Sequence, residues 1–216
     1  MNKKKAIILG GSRGIGLGIS QKLEHICDVK KYSKSDLDTS NIDQVKNFYN
    51  TESDTDILVL NTGGPPPIKF DDITEALWDK YYNQLFKSFA LILQNLKINN
   101  GGFIFAITSF NIKEPDPKLV LSNAYRIAFV SLLKSISKTL SERNISVVNI
   151  APGPILTDRL EELCDDIPKL EKTLPLGRVG NTDEIGNFVY SIVNHNIKYL
   201  NGVTINFDGG ISNYVL

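Results

Sequence analysis

The chain carries no excess of charge of either sign, and this balance argues against one large class of partner. Its 24 lysine and arginine residues are matched by 24 aspartate and glutamate residues, so the formal net charge is zero. Proteins that bind nucleic acid usually present a clustered basic surface, because they must neutralise phosphates. We therefore expect no nucleic-acid partner.

Residues that bind metals or form disulfides are few. The cysteines, Cys27 and Cys164, and the histidines, His25 and His195, lie far apart, and no Cys-x-x-Cys motif is present. Structural zinc sites need such ligands at close spacing. The sequence therefore predicts no metal site, and the isolated cysteines indicate reduced thiols in a cytoplasmic protein.

Long apolar runs are also missing. No segment approaches the ~20 apolar residues of a membrane span. The lysines at positions 3–5 precede only four apolar residues, which is typical of a solvated lead-in to a strand rather than a targeting signal. No linker or charge block divides the 216 residues. We predict one domain over residues 1–216 and no membrane partner.

What the chain does have is an alternation of short apolar runs and helical patterns. The apolar runs cover residues 6–9, 57–60, 103–107, 146–150 and 203–207, and Val29 to Ser33 can form a further strand. This order predicts an α/β fold, a single Rossmann-type doubly wound parallel sheet with helices on both faces. The segment Asp36 to Ser40 follows the second strand almost at once, so we expect a helix, with or without a strand, to be missing there.

The first strand runs directly into a glycine-rich turn. Gly10, Gly14 and Gly16 precede or open a predicted helix, Ile15 to Leu23. Glycine permits positive φ and close approach of a pyrophosphate, and the helix N-terminus adds free N–H groups. The spacing Gly-x-x-x-Gly-x-Gly differs from the general dinucleotide fingerprint, so alone it is a weak signal. We predict a nucleotide-binding turn, with a ligand-free turn as the alternative.

A long helix is predicted from about residue 74 to residue 96. Its apolar stripe is wider than packing on one sheet face requires. We therefore expect a homodimer or homotetramer formed through this helix, with wholly intramolecular packing as the alternative. The stripe contains Leu77, Trp78, Tyr81, Tyr82, Leu85, Phe86, Phe89, Leu93 and Leu96.

Several motifs in a fixed order resemble those of the short-chain dehydrogenase/reductase family, and in particular its reductases of the 3-oxoacyl-carrier-protein type. They lie at residues 9–16, 56–63, 149–157, 175–180 and 207–210. The resemblance runs from Lys5 to Gly210. It implies a dinucleotide across the carboxyl ends of the strands and a small-molecule carbonyl or alcohol substrate.

The resemblance also implies which residues bind the cofactor. The phosphates would lie over the glycine turn, Asp38 would meet the adenine edge, and Ile155 and Thr157 would meet the nicotinamide amide. Asn61 and Gly63 would contact the adjoining ribose. The full set of expected cofactor-binding residues is Gly10, Ser12, Arg13, Gly14, Ile15, Gly16, Ser33, Lys34, Asp38, Asn61, Gly63, Arg126, Pro152, Gly153, Ile155 and Thr157.

The residues after the second strand bear on the choice of dinucleotide. An acidic residue there would bind a free ribose 2′-hydroxyl, whereas basic and hydroxyl residues accommodate a 2′-phosphate. The chain offers Ser33 and Lys34 at this point, with Arg13 in the glycine turn. We therefore favour NADP(H) over NAD(H). The alternative is that both cations are ordinary surface residues.

The catalytic pattern departs from the family. The family's Tyr-x-x-x-Lys pair corresponds to Ser122 and Arg126, and its catalytic asparagine corresponds to Leu85. Ser109 alone stands at its expected position, that of the family's serine. A serine hydroxyl is a very weak acid and a guanidinium does not relay protons, so the usual proton transfer is not available.

Two interpretations follow for catalysis. Tyr125 lies on nearly the same helix face as Ser122 and could be a displaced phenol, or it could simply pack; Tyr81 and Tyr82 are weaker candidates. Arg126 with Ser109 and Ser122 would suit an anionic substrate, with residues 155–175 as the substrate lid. We predict an NADP(H)-dependent oxidoreductase with a non-standard site. The alternative is a catalytically inactive NADP(H)-binding regulatory or scaffold protein.

Overall fold

A computed structural model describes residues 3–215. It contains one parallel six-stranded sheet in the order β2-β1-β3-β4-β5-β6, which confirms the predicted fold class. The strands are β1 (Lys4–Leu9), β2 (Cys27–Tyr32), β3 (Asp54–Leu60), β4 (Lys97–Ile107), β5 (Ser146–Pro152) and β6 (Val203–Phe207). Each predicted strand is present, and β1, β3, β4 and β5 extend beyond the predicted apolar runs.

Helices cover both faces of this sheet. They are α1 (Gly14–Leu23), α2 (Ile42–Thr51), α3 (Glu75–Tyr82), α4 (Ser88–Asn95), α5 (Val120–Ser141), α6 (Asp158–Leu163), α7 (Ile167–Glu171) and α8 (Thr182–Asn194). No helix among residues 3–215 combines the length and the apolar character that crossing a membrane requires.

The alternation of side chains along β1 shows how the two faces are filled. Ile8 points into a core shared with α1 and α8, whereas Ile7 and Leu9 point into a second core shared with α2, α4 and α5. Successive strand residues face opposite sides, so a strand buried on both faces is apolar throughout. This is why apolar residues in the first run, residues 6–9, do not alternate with polar ones.

The sheet is short on the side of β2. Residues 33–41 form turns between β2 and α2, and the chain then returns to β3 on the other side of β1. The common doubly wound order places two strands beyond the first one, whereas here β2 is the edge. The strand order reverses between β1 and β3, and ligands of such sheets bind in the crevice at this point.

The predicted long helix is present but is not uniform. A π-helical turn over Asn83–Lys87 separates α3 from α4. It carries Gln84, whose amide donates to the Gly63 carbonyl at 2.7 Å, and it keeps Leu85 buried. Such wide turns insert one residue into a helix and are frequent at functional sites.

Candidate active site

A cavity of about 420 Å³ opens at the carboxyl ends of β1, β3, β4 and β5. It lies where the chain reverses its strand order, and most of the residues expected to bind a cofactor line it. These are Gly10, Ser12, Arg13, Gly14, Ile15, Lys34, Asp38, Asn61, Gly63, Arg126, Pro152, Gly153, Ile155 and Thr157. Among the residues expected to be catalytic, Ser109, Ser122 and Arg126 line the cavity, whereas Tyr125 does not.

The glycine turn has the geometry that its residues suggest. Gly10 and Gly14 have φ of 61° and 52°, in the left-handed region. Gly16 serves a different purpose, because a Cβ there would lie 2.1 Å from the Gly10 carbonyl oxygen. Arg13 precedes α1 without capping it, so no side-chain cap covers the first N–H groups of the helix at the cavity. This is an arrangement that suits a phosphate.

Asn61 connects the glycine turn to the end of β3. Its amide donates to the Gly10 carbonyl at 3.2 Å. A Cβ on Gly10 would lie 2.6 Å from the same amide nitrogen. The two strand ends at the point of reversal are therefore fixed to each other by one side chain.

Charges at the β2 end of the cavity are partly paired. Lys34 lies 4.0 Å from Asp38, and the Arg13 guanidinium lies 3.5 Å from Asp158. Both cations remain mostly exposed, with 78% and 73% of their side-chain surface accessible. They are therefore available to an anion.

Ser33 is oriented differently from the expectation. It does not line the cavity, because its N–H and its hydroxyl both donate to the Asp36 carboxylate, at 2.8 and 2.6 Å. These hydrogen bonds lower the pKa of Asp36. Ser33 can reach a 2′-phosphate only after that carboxylate has turned away.

Arg126 lies on α5 and is almost fully buried, with 9% of its surface exposed. Its donors bond three neutral acceptors: Ser122 Oγ at 3.1 Å, the Ile107 carbonyl at 2.9 Å and the Thr62 carbonyl at 3.4 Å. Within the described part of the chain no carboxylate lies within 4.0 Å of it. Burial, with a smaller effect of the Arg159 charge, lowers its pKa to about 10.

The two serines are arranged as donors toward the cavity. Ser122 Oγ accepts from Arg126 Nε at 3.1 Å, and Ser109 Oγ accepts from the Asn111 N–H at 3.2 Å. Each hydroxyl thus already accepts one hydrogen bond and retains its own hydrogen for another acceptor. A carbonyl or alkoxide oxygen in the cavity is a suitable acceptor.

Tyr125 faces a different part of the molecule. Its hydroxyl donates to the Trp78 carbonyl at 3.1 Å, and its ring packs against Trp78 and Tyr82. Burial and then the charge of Asp79 raise its pKa, which is the reverse of what an activated proton donor needs. Tyr81 of α3 lines the cavity and is 6% exposed.

Within the predicted lid, residues 155–175, α6 and the residues just before it line one side of the cavity, whereas no residue of α7 lines it. Thr157 begins α6, accepts from the Leu160 N–H, and lies 3.3 Å from the position of a Cβ on Gly14. The Arg159 guanidinium crosses the cavity mouth, donating to the Pro65 carbonyl and, at 2.9 Å, to Glu162.

The sequence did not indicate Arg159, Gln84 or Lys80 as cavity residues. In the sequence, these residues are distinguished only by their position in the predicted lid or in the predicted long helix. No group of three or more potential metal-ligating side chains is present among residues 3–215.

Comparisons with known proteins identify the family of the chain. A family model described as "Enoyl-(Acyl carrier protein) reductase" matches residues 13–212. The chain belongs to the short-chain dehydrogenase/reductase family. It is 27% identical to a 3-oxoacyl-[acyl-carrier-protein] reductase of Chlamydia muridarum, over 97% of each chain. It is 29% identical to a 7alpha-hydroxysteroid dehydrogenase of Escherichia coli, over 72% of this chain and 63% of that protein.

Solved structures show the same fold. A blue fluorescent protein from a metagenomic library, in complex with NADPH, has a TM-score of 0.88 at 22% identity, over 98% of this chain and 99% of that one. A short-chain dehydrogenase from Burkholderia cenocepacia, in complex with NADP, has a TM-score of 0.86 at 24% identity, over 97% of each chain. As a member of this family, the chain is an oxidoreductase that uses a nicotinamide cofactor.

The contact between Asn61 and Gly10 gives a first testable prediction. Asn61→Ala removes a hydrogen bond that holds the glycine turn, and we expect nicotinamide-dinucleotide affinity to fall about five- to tenfold, the equivalent of one net hydrogen bond. Titration by cofactor fluorescence measures this. Asn95→Ala is the control, since Asn95 makes a similar amide-to-carbonyl bond within α4. Equal affinity in the wild type and Asn61→Ala would show that the bond does not support the site.

Proposed function

We propose that the protein is an NADP(H)-dependent oxidoreductase that interconverts a carbonyl and an alcohol on a small molecule. One observation carries this proposal: a single cavity contains the glycine turn at one end and the group formed by Arg126, Ser109 and Ser122 at the other. When bound, the nicotinamide cofactor supplies or accepts the hydride. The Ser109 hydroxyl binds the substrate oxygen, and the buried guanidinium favours a substrate with an anionic group.

The preference for NADP(H) rests on the exposed cations at the β2 end of the cavity. Arg13 and Lys34 both line it, and their carboxylate partners lie at the long distances of 3.5 and 4.0 Å. Weakly paired cations gain energy by binding a 2′-phosphate. The carboxylate of Asp36 opposes this, because it occupies the donors of Ser33.

A comparison of the two cofactors tests this preference. We expect NADPH to bind at least about tenfold more tightly than NADH, the equivalent of one charged hydrogen bond. Lys34→Ala should remove most of this difference and leave NADH affinity unchanged, as measured by calorimetry. Lys46→Ala is the control, because Lys46 is an exposed, ion-paired lysine on α2. Equal affinity of the wild type for both cofactors would contradict the preference.

The source of the substrate proton is the second part of the proposal. We assign it to Tyr81, which lines the cavity, rather than to Tyr125, which does not line it and whose hydroxyl is bonded to the Trp78 carbonyl. Arg126 positions the reactants, and Ser122 is catalytically minor. The competing function is cofactor binding without chemistry, and the absence of the family's tyrosine and lysine from positions 122 and 126 favours it.

A set of variants separates the two functions. With a panel of carbonyl and alcohol compounds, an oxidoreductase should change NADPH absorbance, and Arg126→Ala should greatly reduce this turnover while Ser122→Ala changes it little. Tyr81→Phe should also reduce it, with Tyr125→Phe as the matched control. If no compound reacts while Arg126→Ala weakens NADPH binding by about 1 to 2 kcal/mol, the binding function is correct. Turnover that collapses in Ser122→Ala would refute the minor role of Ser122.

We further propose that the protein is a homodimer or homotetramer formed through α3 and α4, and that it works in the cytoplasm with reduced thiols. Tyr82 supports the first statement, because it is 39% exposed and stacks on Phe86 at 5.7 Å on the outer side of these helices. Cys27 and Cys164 are unpaired, which supports the second.

Light scattering tests the assembly. The wild type should have a dimeric or tetrameric mass at micromolar concentration, and Tyr82→Glu should lower it, because the charge would be buried at the contact. Phe70→Glu is the control, since Phe70 is 65% exposed on a separate 3₁₀ turn. A monomeric wild type, or loss of the assembly in both variants, would count against this interface.

A further inference from the structure

Two guanidinium groups approach each other beside Gly64, at the wall of the cavity. A Cβ built on Gly64 would lie 3.6 Å from Arg126 Nη2 and 3.8 Å from Arg159 Nη2. The two nitrogens therefore lie on the same side of Gly64, and both residues line the cavity. A carboxylate in the cavity between the two guanidinium groups could accept from both.

The two groups come from opposite sides of the cavity. Arg126 belongs to α5 and is bonded to the ends of β3 and β4, through the Thr62 and Ile107 carbonyls. Arg159 belongs to the lid and reaches the loop after β3. Their charges repel each other, and the nearest carboxylate, Glu162, pairs with the outer nitrogen of Arg159. An anion between them would replace this repulsion by two charge-assisted hydrogen bonds.

We propose that Arg126 and Arg159 together bind the carboxylate of the substrate, which is therefore a small oxo acid or hydroxy acid. This inference rests on the proposed oxidoreductase function. Arg126 Nη1 donates to the carbonyl of Ile107, two residues before Ser109, at 2.9 Å. A carboxylate held by the guanidinium therefore lies near the Ser109 hydroxyl, which binds the reacting oxygen. The carboxylate and the reacting carbon are thus close in the substrate.

The position of Arg159 connects substrate binding to the lid. Arg159 lies two residues after Thr157, which begins α6 against Gly14 of the cofactor turn. An anion that draws Arg159 toward Arg126 fixes α6 over the cavity. A neutral substrate has no such effect, so the lid discriminates by charge.

The cofactor is the other possible source of an anion here. Its pyrophosphate has donors of its own at the glycine turn, and Arg126 is held at the strand ends of β3 and β4, away from β1. The fixed guanidinium contacts Ser122 through its Nε. An experiment must still separate the two sources.

Calorimetry with simple dianions tests the proposal. Oxalate and malonate are titrated into the protein with and without saturating NADP⁺, with the neutral diamides oxamide and malonamide as comparison. We expect the dianions to bind and the diamides not to bind. Arg159→Gln should weaken dianion binding about tenfold or more, as expected for a charged hydrogen bond, while NADPH affinity changes less than about twofold.

Two further variants sharpen the result. Lys169→Gln removes one positive charge from α7 of the same lid and should leave dianion affinity unchanged. Gly64→Ala adds a methyl group 3.6 Å from Arg126 Nη2 and 3.8 Å from Arg159 Nη2 without changing any charge. It should hinder a dianion between the two guanidinium groups and weaken dianion binding, as Arg159→Gln does. Its added Cβ makes only ordinary contacts, and Gly64 is not among the residues of positive φ, so the fold should persist.

The outcomes that would overturn the inference are distinct from those that test the function. Failure of both dianions to bind the wild type, or equal losses in Lys169→Gln and Arg159→Gln, would refute the carboxylate site. Loss of NADPH affinity in Arg159→Gln with unchanged dianion binding would assign Arg159 to the cofactor phosphates instead. Absence of NADPH binding or turnover in the wild type would refute the proposed function, whatever the dianions do.

Discussion

The close approach of Gly16 to the Gly10 carbonyl is the constraint on which the site depends. The helix can begin directly after β1 only because no side chain separates these two residues. Asn61 then joins the same turn to β3, so the two strands on either side of the reversal form one frame. The glycine turn of this frame lines the cavity, and Thr157, just before α6, lies against Gly14 of the same turn.

A buried arginine determines the charge and the hydrogen-bond donors at the other end of the cavity. Arg126 of α5 lies beside Ser122, and a guanidinium holds its five donors in a rigid plane. Three of those donors are used on neutral acceptors from Thr62, Ile107 and Ser122. Within residues 3–215 no carboxylate lies within 4.0 Å of this guanidinium. A buried charge without such a partner costs stability and is typical of a group kept for binding.

The sequence predicted the fold well because the signals of the fold are local. A buried parallel strand is a short apolar run, and a turn that needs Gly10 and Gly14 at positive φ carries glycine there. The π-helical turn over Asn83–Lys87 could not be predicted, because it depends on how Gln84 reaches Gly63 across the fold. Positions within the site were harder still. Tyr125 and Ser122 are three residues apart on one helix, yet their side chains face different surroundings.

The short side of the sheet has a consequence for how molecules of this protein meet. Because β2 is an edge strand, one side of its backbone has no neighbouring strand, and such an edge can add a strand from another chain. Lys30 and Lys31 stand on β2 and are paired with Glu52 and Glu24. Fixed charges on an edge oppose the stacking of further strands. The charged residues on β2 thus oppose the joining of this edge to a strand of another copy of the protein.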